Sequence, residues 1–273
     1  MVGLALMDSS KLRAESLAVR RGPSTANFLA PPGVLTCTPL HRMTLLIAAI
    51  LLASYLLGSI PSGLLISKSR GLDIREHGSR NIGATNVWRV MGQKWGLLAF
   101  FCDTAKGWLA VVLAFWIAER WSYAVPLPRG KIGVGFLPHD YAGITAALGC
   151  ILGHNFPVWL RFKGGKGVAT SLGVIIGMMP LASLLIFAIW GVVLKATRYV
   201  SLASLMAAAA LPVVVIGLMF FGPSHGWAAV HGWGNFYFAI AAAALVIKRH
   251  VPNIQRLRAG TELRFGDPKP PAP

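Results

Sequence analysis

Acidic side chains are scarce in this chain. Of 273 residues only 9 are Asp or Glu, and all charged residues together make up 13%. A soluble domain rarely keeps so little charge beside 55% hydrophobic residues and a mean hydropathy of +0.61, which points to a multi-span membrane protein. Cysteine is also rare. Cys37, Cys102 and Cys150 have no short spacing, and two of them fall in apolar runs, which argues against a disulfide framework or a zinc site. Residues 1–42 lack the apolar core of a signal peptide. They read either as a disordered extension or as a mis-assigned start upstream of Met43. The Pro-rich 267–273 read as a tail.

What is present in excess is apolar length and positive charge. Seven spans are expected, at about 43–67, 95–118, 140–160, 168–180, 181–196, 201–221 and 234–250. The fourth and fifth are short and meet at Met179–Pro180, as a tight helical hairpin or as one kinked span. The fold expected is therefore an all-α polytopic bundle, with residues 43–266 as its membrane-integral domain. Net charge is +17, and the apolar spans direct that charge to a membrane face rather than to nucleic acid. Of the 21 Lys and Arg after residue 42, 17 lie in segments that seven spans put on one side. By the positive-inside bias, Met43 is outside and the C-terminus cytoplasmic.

Four polar segments fall on that basic side. The first holds Ser79, Asn81, Gly83, Thr85 and Asn86, then Arg89. Small and hydroxyl residues before a short helix can present backbone N–H groups to an anion, and Arg89 can grip phosphate oxygens in bidentate fashion. An N-capped interfacial helix accounts for the same residues. The second runs from His154 to Lys163, Gly164, Gly165, Lys166 and Gly167. Its glycines allow close backbone approach and its lysines neutralise charge. It is not a nucleotide loop, since Gly167 stands where Ser or Thr is required. A flexible cationic turn is the plainer alternative. The third offers Ser201 and Ser204, as a helix cap or as phosphate donors. The fourth has His250 and Asn253, three apart, which suit small hydroxyls if the helix runs on past Pro252. Asp103 and Lys106, at i, i+3 inside span two, read as a mutual ion pair.

Together these motifs resemble those of the PlsY family, the membrane-integral acyl-phosphate:glycerol-3-phosphate acyltransferases of bacteria. The matching stretches are Ser79-x-Asn81-x-Gly83-Ala84-Thr85-Asn86, His154-x-Phe156 through Lys163–Thr170, Tyr199–Leu202, and Arg249-His250-x-x-Asn253-Ile254-x-Arg256-Leu257 with Gly260-Thr261-Glu262. Arg80, where the family often has glycine, Pro252 and a long outer loop near 119–139 depart from the pattern. The resemblance implies transfer of a fatty acyl group from acyl phosphate to the sn-1 hydroxyl of glycerol 3-phosphate, at the cytoplasmic side of the bacterial inner membrane. It implies no cofactor, no metal, and handover of donor from the enzyme that makes acyl phosphate. It assigns Ser79, Arg89, Lys166 and a loop-three serine to the glycerol 3-phosphate phosphate. His250 and Asn253 would meet the glycerol hydroxyls, and Lys163 with the loop-two glycines would serve the acyl phosphate. No His-x-x-x-x-Asp occurs, which disfavours the acyl-CoA and acyl-carrier-protein enzymes of the same pathway: Trp159, Gln255 and Ile82 stand five after His154, His250 and His77. A transporter of a phosphorylated or lipid solute is the rival reading, but it predicts mid-membrane polarity and inverted repeats.

Overall fold

The computed structural model describes residues 39–123, 139–225, 230 and 232–266, and these are helical with no strand among them. The readings of residues 1–38, of 267–273 and of most of the long outer loop lie outside the described residues. Helix α1 spans Pro39–Gly58 and α2 spans Ser62–Lys68; α3 is Ala84–Met91 and α4 is Gln93–Tyr123. Next come α5 (His139–Asn155), α6 (Val168–Met178) and α7 (Pro180–Thr197). The chain then forms α8 (Val200–Phe221), α9 (Trp233–Arg249) and α10 (Val251–Arg258).

Among the described residues, five segments are long and apolar enough to cross a membrane: 43–68, 93–120, 139–160, 180–197 and 200–221. The 11-residue α6 is apolar but shorter, and α9 has 17 residues. The first expected span is two helices rather than one. Pro61 cannot donate a backbone hydrogen bond, so the helix stops at Gly58 and restarts at Ser62. At this break the Ile60 carbonyl accepts from Lys106 Nζ at 2.9 Å and from the Ser62 N–H at 3.1 Å. The fourth and fifth expected spans are separate helices that meet at Met179, whose φ of −142° is not helical.

Small residues set how tightly the bundle closes. α4 packs on α6 through Gly107 and Gly173, and α1 packs on α5. A Cβ at Gly173 would overlap the Thr104 carbonyl, and one at Gly107 would overlap that of Thr170. In lipid, helices associate by such close packing, because burying apolar surface gains little there. α8 packs between α7 and α9. A buried core of Ala146, Ile151, Val174, Val215 and Phe238 ties these layers together.

A candidate site for an anionic amphiphile

One end of the bundle opens into a cavity of about 680 Å³. Loop one, the start of α6, the start of α8, the α9–α10 junction, residues 261–263 and Phe265 all line it. Three helices therefore begin at the same place. Gly83, Tyr199 and Gly167 are their N-terminal caps, none with a side-chain capping bond. The first N–H groups of a helix lack intrahelical acceptors and carry partial positive charge, so their convergence favours an anion. Ser201 was a capping candidate. It lies one position inside α8 instead, and its hydroxyl has no partner among the described residues.

Loop one is held in shape by its two asparagines. Asn86 Oδ1 accepts from the Ser79 N–H at 2.8 Å, and its Nδ2 donates to the carbonyls of Ile74, His77 and Asn81. Asn81 Oδ1 accepts from the Gly83 N–H. Both side chains thus make their hydrogen bonds within the loop, and Asn81 and Asn86 line the cavity together with Ser79, Gly83, Thr85 and Arg89. Arg80 takes φ of +58°, a region that favours glycine.

Loop two divides into two halves. Lys166 and Gly167 line the cavity; Lys163, Gly164 and Gly165 do not. The carbonyls of Gly164 and Gly165 accept from the Arg249 guanidinium at 2.8 to 3.0 Å. A Cβ at Gly165 would overlap His154 Nε2. These glycines serve packing, and Lys163 is exposed. Burial pulls the Lys166 ammonium down to about 8; Glu262 opposes this shift, and Arg256, Arg89 and Arg249 add to it.

His154 also belongs to a buried network. Lys106 Nζ lies 2.8 Å from Asp103 Oδ1 and 3.0 Å from His154 Nδ1. The expected Asp103–Lys106 pair is therefore present, with His154 as a third member. Since the ammonium donates, His154 Nδ1 accepts, and the neutral ring carries its proton on Nε2.

Pro252 does not separate His250 from Asn253. The helix ends at His250 and a new one starts at Val251, with Pro252 in its first turn, where a missing N–H costs nothing. Both residues are buried and line the cavity. His250 Nδ1 lies 2.8 Å from the Val246 carbonyl, so it donates there and leaves Nε2 of the neutral ring as an acceptor. Asn253 Nδ2 donates to Glu262 at 2.6 Å, while its Oδ1, in a side chain only 4% exposed, has no partner among the described residues.

Away from these groups the cavity turns apolar. Ile175, Ile186, Leu211 and Ala242 line it between α6, α7, α8 and α9. A molecule that fits has a phosphate-like head and a hydrocarbon tail. Among the described residues no three His, Cys, Asp or Glu side chains group as metal ligands would.

Residues 48–260 match the family model described as glycerol-3-phosphate acyltransferase. The chain belongs to the glycerol-3-phosphate acyltransferase family. It is an acyltransferase. The glycerol-3-phosphate acyltransferase of Thermosynechococcus vestitus is 43% identical over 217 residues, covering 79% of this chain and 93% of that protein. That of Rhizobium meliloti is 42% identical, covering 80% and 92%. Among solved structures, the glycerol 3-phosphate form of PlsY (YgiH), an integral membrane glycerol 3-phosphate acyltransferase, superposes with a TM-score of 0.65 at 36% identity, covering 81% of this chain and 96% of that one. Its lysophosphatidic acid form gives 0.62 at 35%.

Within this acyltransferase, several cavity residues had no role assigned from sequence. Arg256 follows Asn253 by three on α10, so His250, Asn253 and Arg256 share a face, a periodicity that could have flagged it. Glu262 accepts from Arg256 Nε at 2.7 Å. Burial alone would raise the Glu262 carboxyl; the bonds from Asn253 and Arg256 outweigh it and hold it below the usual range. Ser201 Oγ adds to this lowering without reaching hydrogen-bond geometry. Phe265 stacks at a tilt on Trp88, 5.1 Å between centroids, and its carbonyl accepts from Arg198. Nothing in the local sequence marks that pairing across 177 residues.

Proposed function

We propose that this enzyme moves a fatty acyl group from acyl phosphate to the sn-1 hydroxyl of glycerol 3-phosphate, releasing lysophosphatidic acid and inorganic phosphate. The observation that carries this reading is the shape and polarity of one cavity: cationic and rich in helix N-termini at its mouth, apolar between the helices. Glycerol 3-phosphate alone needs only the first half, and a hydrocarbon tail only the second. An acyl phosphate needs both.

Ser79, Arg89, Lys166 and Ser201 hold the phosphate of glycerol 3-phosphate; of the two loop-three serines, Ser204 already donates to the Val200 carbonyl at 2.8 Å and accepts from Trp190. His250 Nε2 and Asn253 Oδ1 are acceptors that orient the glycerol hydroxyls. The sn-1 oxygen attacks the acyl carbonyl carbon, forming the ester C–O bond. The anhydride C–O bond to phosphorus-bound oxygen breaks, and the hydroxyl proton ends on a phosphate oxygen of the donor. The donor is already activated, so positioning and charge neutralisation by fixed cations supply the catalysis. Glu262 is engaged with Arg256 and Asn253, which supports a substrate-assisted route rather than a protein base.

The enzyme lies in the bacterial inner membrane with seven spans, Met43 outside and the site cytoplasmic; the 17 clustered cations support that orientation. Donor reaches the site from the bilayer after handover from the enzyme that makes it. The test is purified enzyme with palmitoyl phosphate and glycerol 3-phosphate. Phosphate release should match 1-acyl product one for one, and palmitoyl-CoA should be inert. Turnover of palmitoyl-CoA, or 2-acyl product alone, sinks the assignment.

A further inference from the structure

The apolar branch of the cavity ends at one level on every helix that lines it. Its deepest residues are Ile175 on α6, Ile186 on α7, Leu211 on α8 and Ala242 on α9. One turn deeper stand Met179, Ala182, Val215 and Phe238. All four are buried in the hydrophobic core and none touches the cavity. Met179, Val215 and Phe238 supply the bulk of this layer, and Phe238 is the largest fully buried side chain among the described residues. The branch therefore has a packed floor. It also has a side: Phe187 lines the cavity and is 47% exposed on the helix surface, so a chain that meets the floor can turn out toward lipid there.

We propose that this floor sets how much of the acyl chain the protein itself recognises. The inference rests on the acyl-phosphate reading above. From Ser201 to Leu211 along α8 the branch descends ~15 Å, and from His250 to Ala242 along α9 ~12 Å. An all-trans chain advances about 1.25 Å per carbon, from the single-bond length and a near-tetrahedral angle. The protein therefore holds about ten to twelve carbons. Carbons beyond these leave past Phe187 into the bilayer and contribute nothing to selection. The enzyme discriminates against short chains and is indifferent among long ones, with Phe238 as the residue that fixes the boundary.

The experiment compares saturated acyl phosphates of eight to eighteen carbons in the same phospholipid vesicles, with donor expressed as mole fraction in the membrane. In the unmodified enzyme kcat/KM should rise about tenfold from eight to twelve carbons, as added methylenes find contacts, and then stay flat to eighteen. Phe238→Ala drops the floor by one turn, ~6 Å or about five carbons, so the plateau should start near sixteen. Phe238→Ala also opens a core cavity. Ala242→Leu therefore serves as the second variant, raising the floor so that the plateau starts near eight to ten. A steady rise through eighteen carbons in the unmodified enzyme, or a plateau that neither variant moves, overturns the inference. Failure of the unmodified enzyme to use any acyl phosphate instead overturns the donor assignment, and this inference with it.

Discussion

Loop two and the C-terminal segment after His250 both reach the cavity, and they do so in opposite ways. Loop two is conspicuous: three glycines and two lysines in five residues. Yet only Lys166 and Gly167 face the cavity, and the carbonyls of the other two glycines are tied to Arg249. The C-terminal segment is ordinary in composition, and it supplies His250, Asn253, Arg256, Thr261, Glu262, Leu263 and Phe265 to the lining. Gly164 and Gly165 serve packing against His154, not open access to a ligand. A glycine-rich cationic run marks where backbone comes close to something, and here most of that something is the protein itself.

Substitutions can break this comparison at several points. The largest effect should come from Lys166→Met, which removes a half-buried cation from the phosphate end; kcat/KM for glycerol 3-phosphate should fall by about 10²- to 10³-fold in a phosphate-release assay. Gly165→Ala should come next. Its Cβ would overlap the buried His154 ring, so thermal unfolding should reveal a loss of ~1–3 kcal/mol and activity should fall several-fold. If Gly165→Ala instead kept full stability but lost phosphate binding, the loop would be an open cradle after all.

The pH response follows from Lys166. Its ammonium is held near 8, so it is charged at neutral pH and loses its charge as pH rises through that value. The Michaelis constant for glycerol 3-phosphate should therefore climb about tenfold by one unit above 8, and Lys166→Arg should flatten that rise because guanidinium stays protonated. Smallest of all is Lys163→Met. The side chain is exposed and outside the cavity, so kcat/KM should change by no more than about threefold, as for other solvated charges. A loss comparable to that of Lys166→Met would mean that both lysines hold phosphate.

The helices were largely legible in the sequence, because apolar length and charge bias are local signals. Where the reading and the structure differ, the cause is proline. Pro61 divides the first span, and Pro252 starts a new helix instead of spoiling the old one. At the site, His250, Asn253, Ser79 and Arg89 could be singled out by residue type and spacing. The work of Asn86 could not, since its four hydrogen bonds exist only once loop one has closed around it. The Trp88–Phe265 contact and the floor under Leu211 depend on tertiary packing and leave no periodic trace.

The central claim is that one cavity takes the phosphate head and the hydrocarbon tail together. Equilibrium displacement of labelled glycerol 3-phosphate from the purified, unmodified enzyme in vesicles tests it most directly. Lysophosphatidic acid should displace the label completely, and it should also displace a labelled non-hydrolysable acyl phosphonate. Simultaneous binding of lysophosphatidic acid with either ligand would contradict the account.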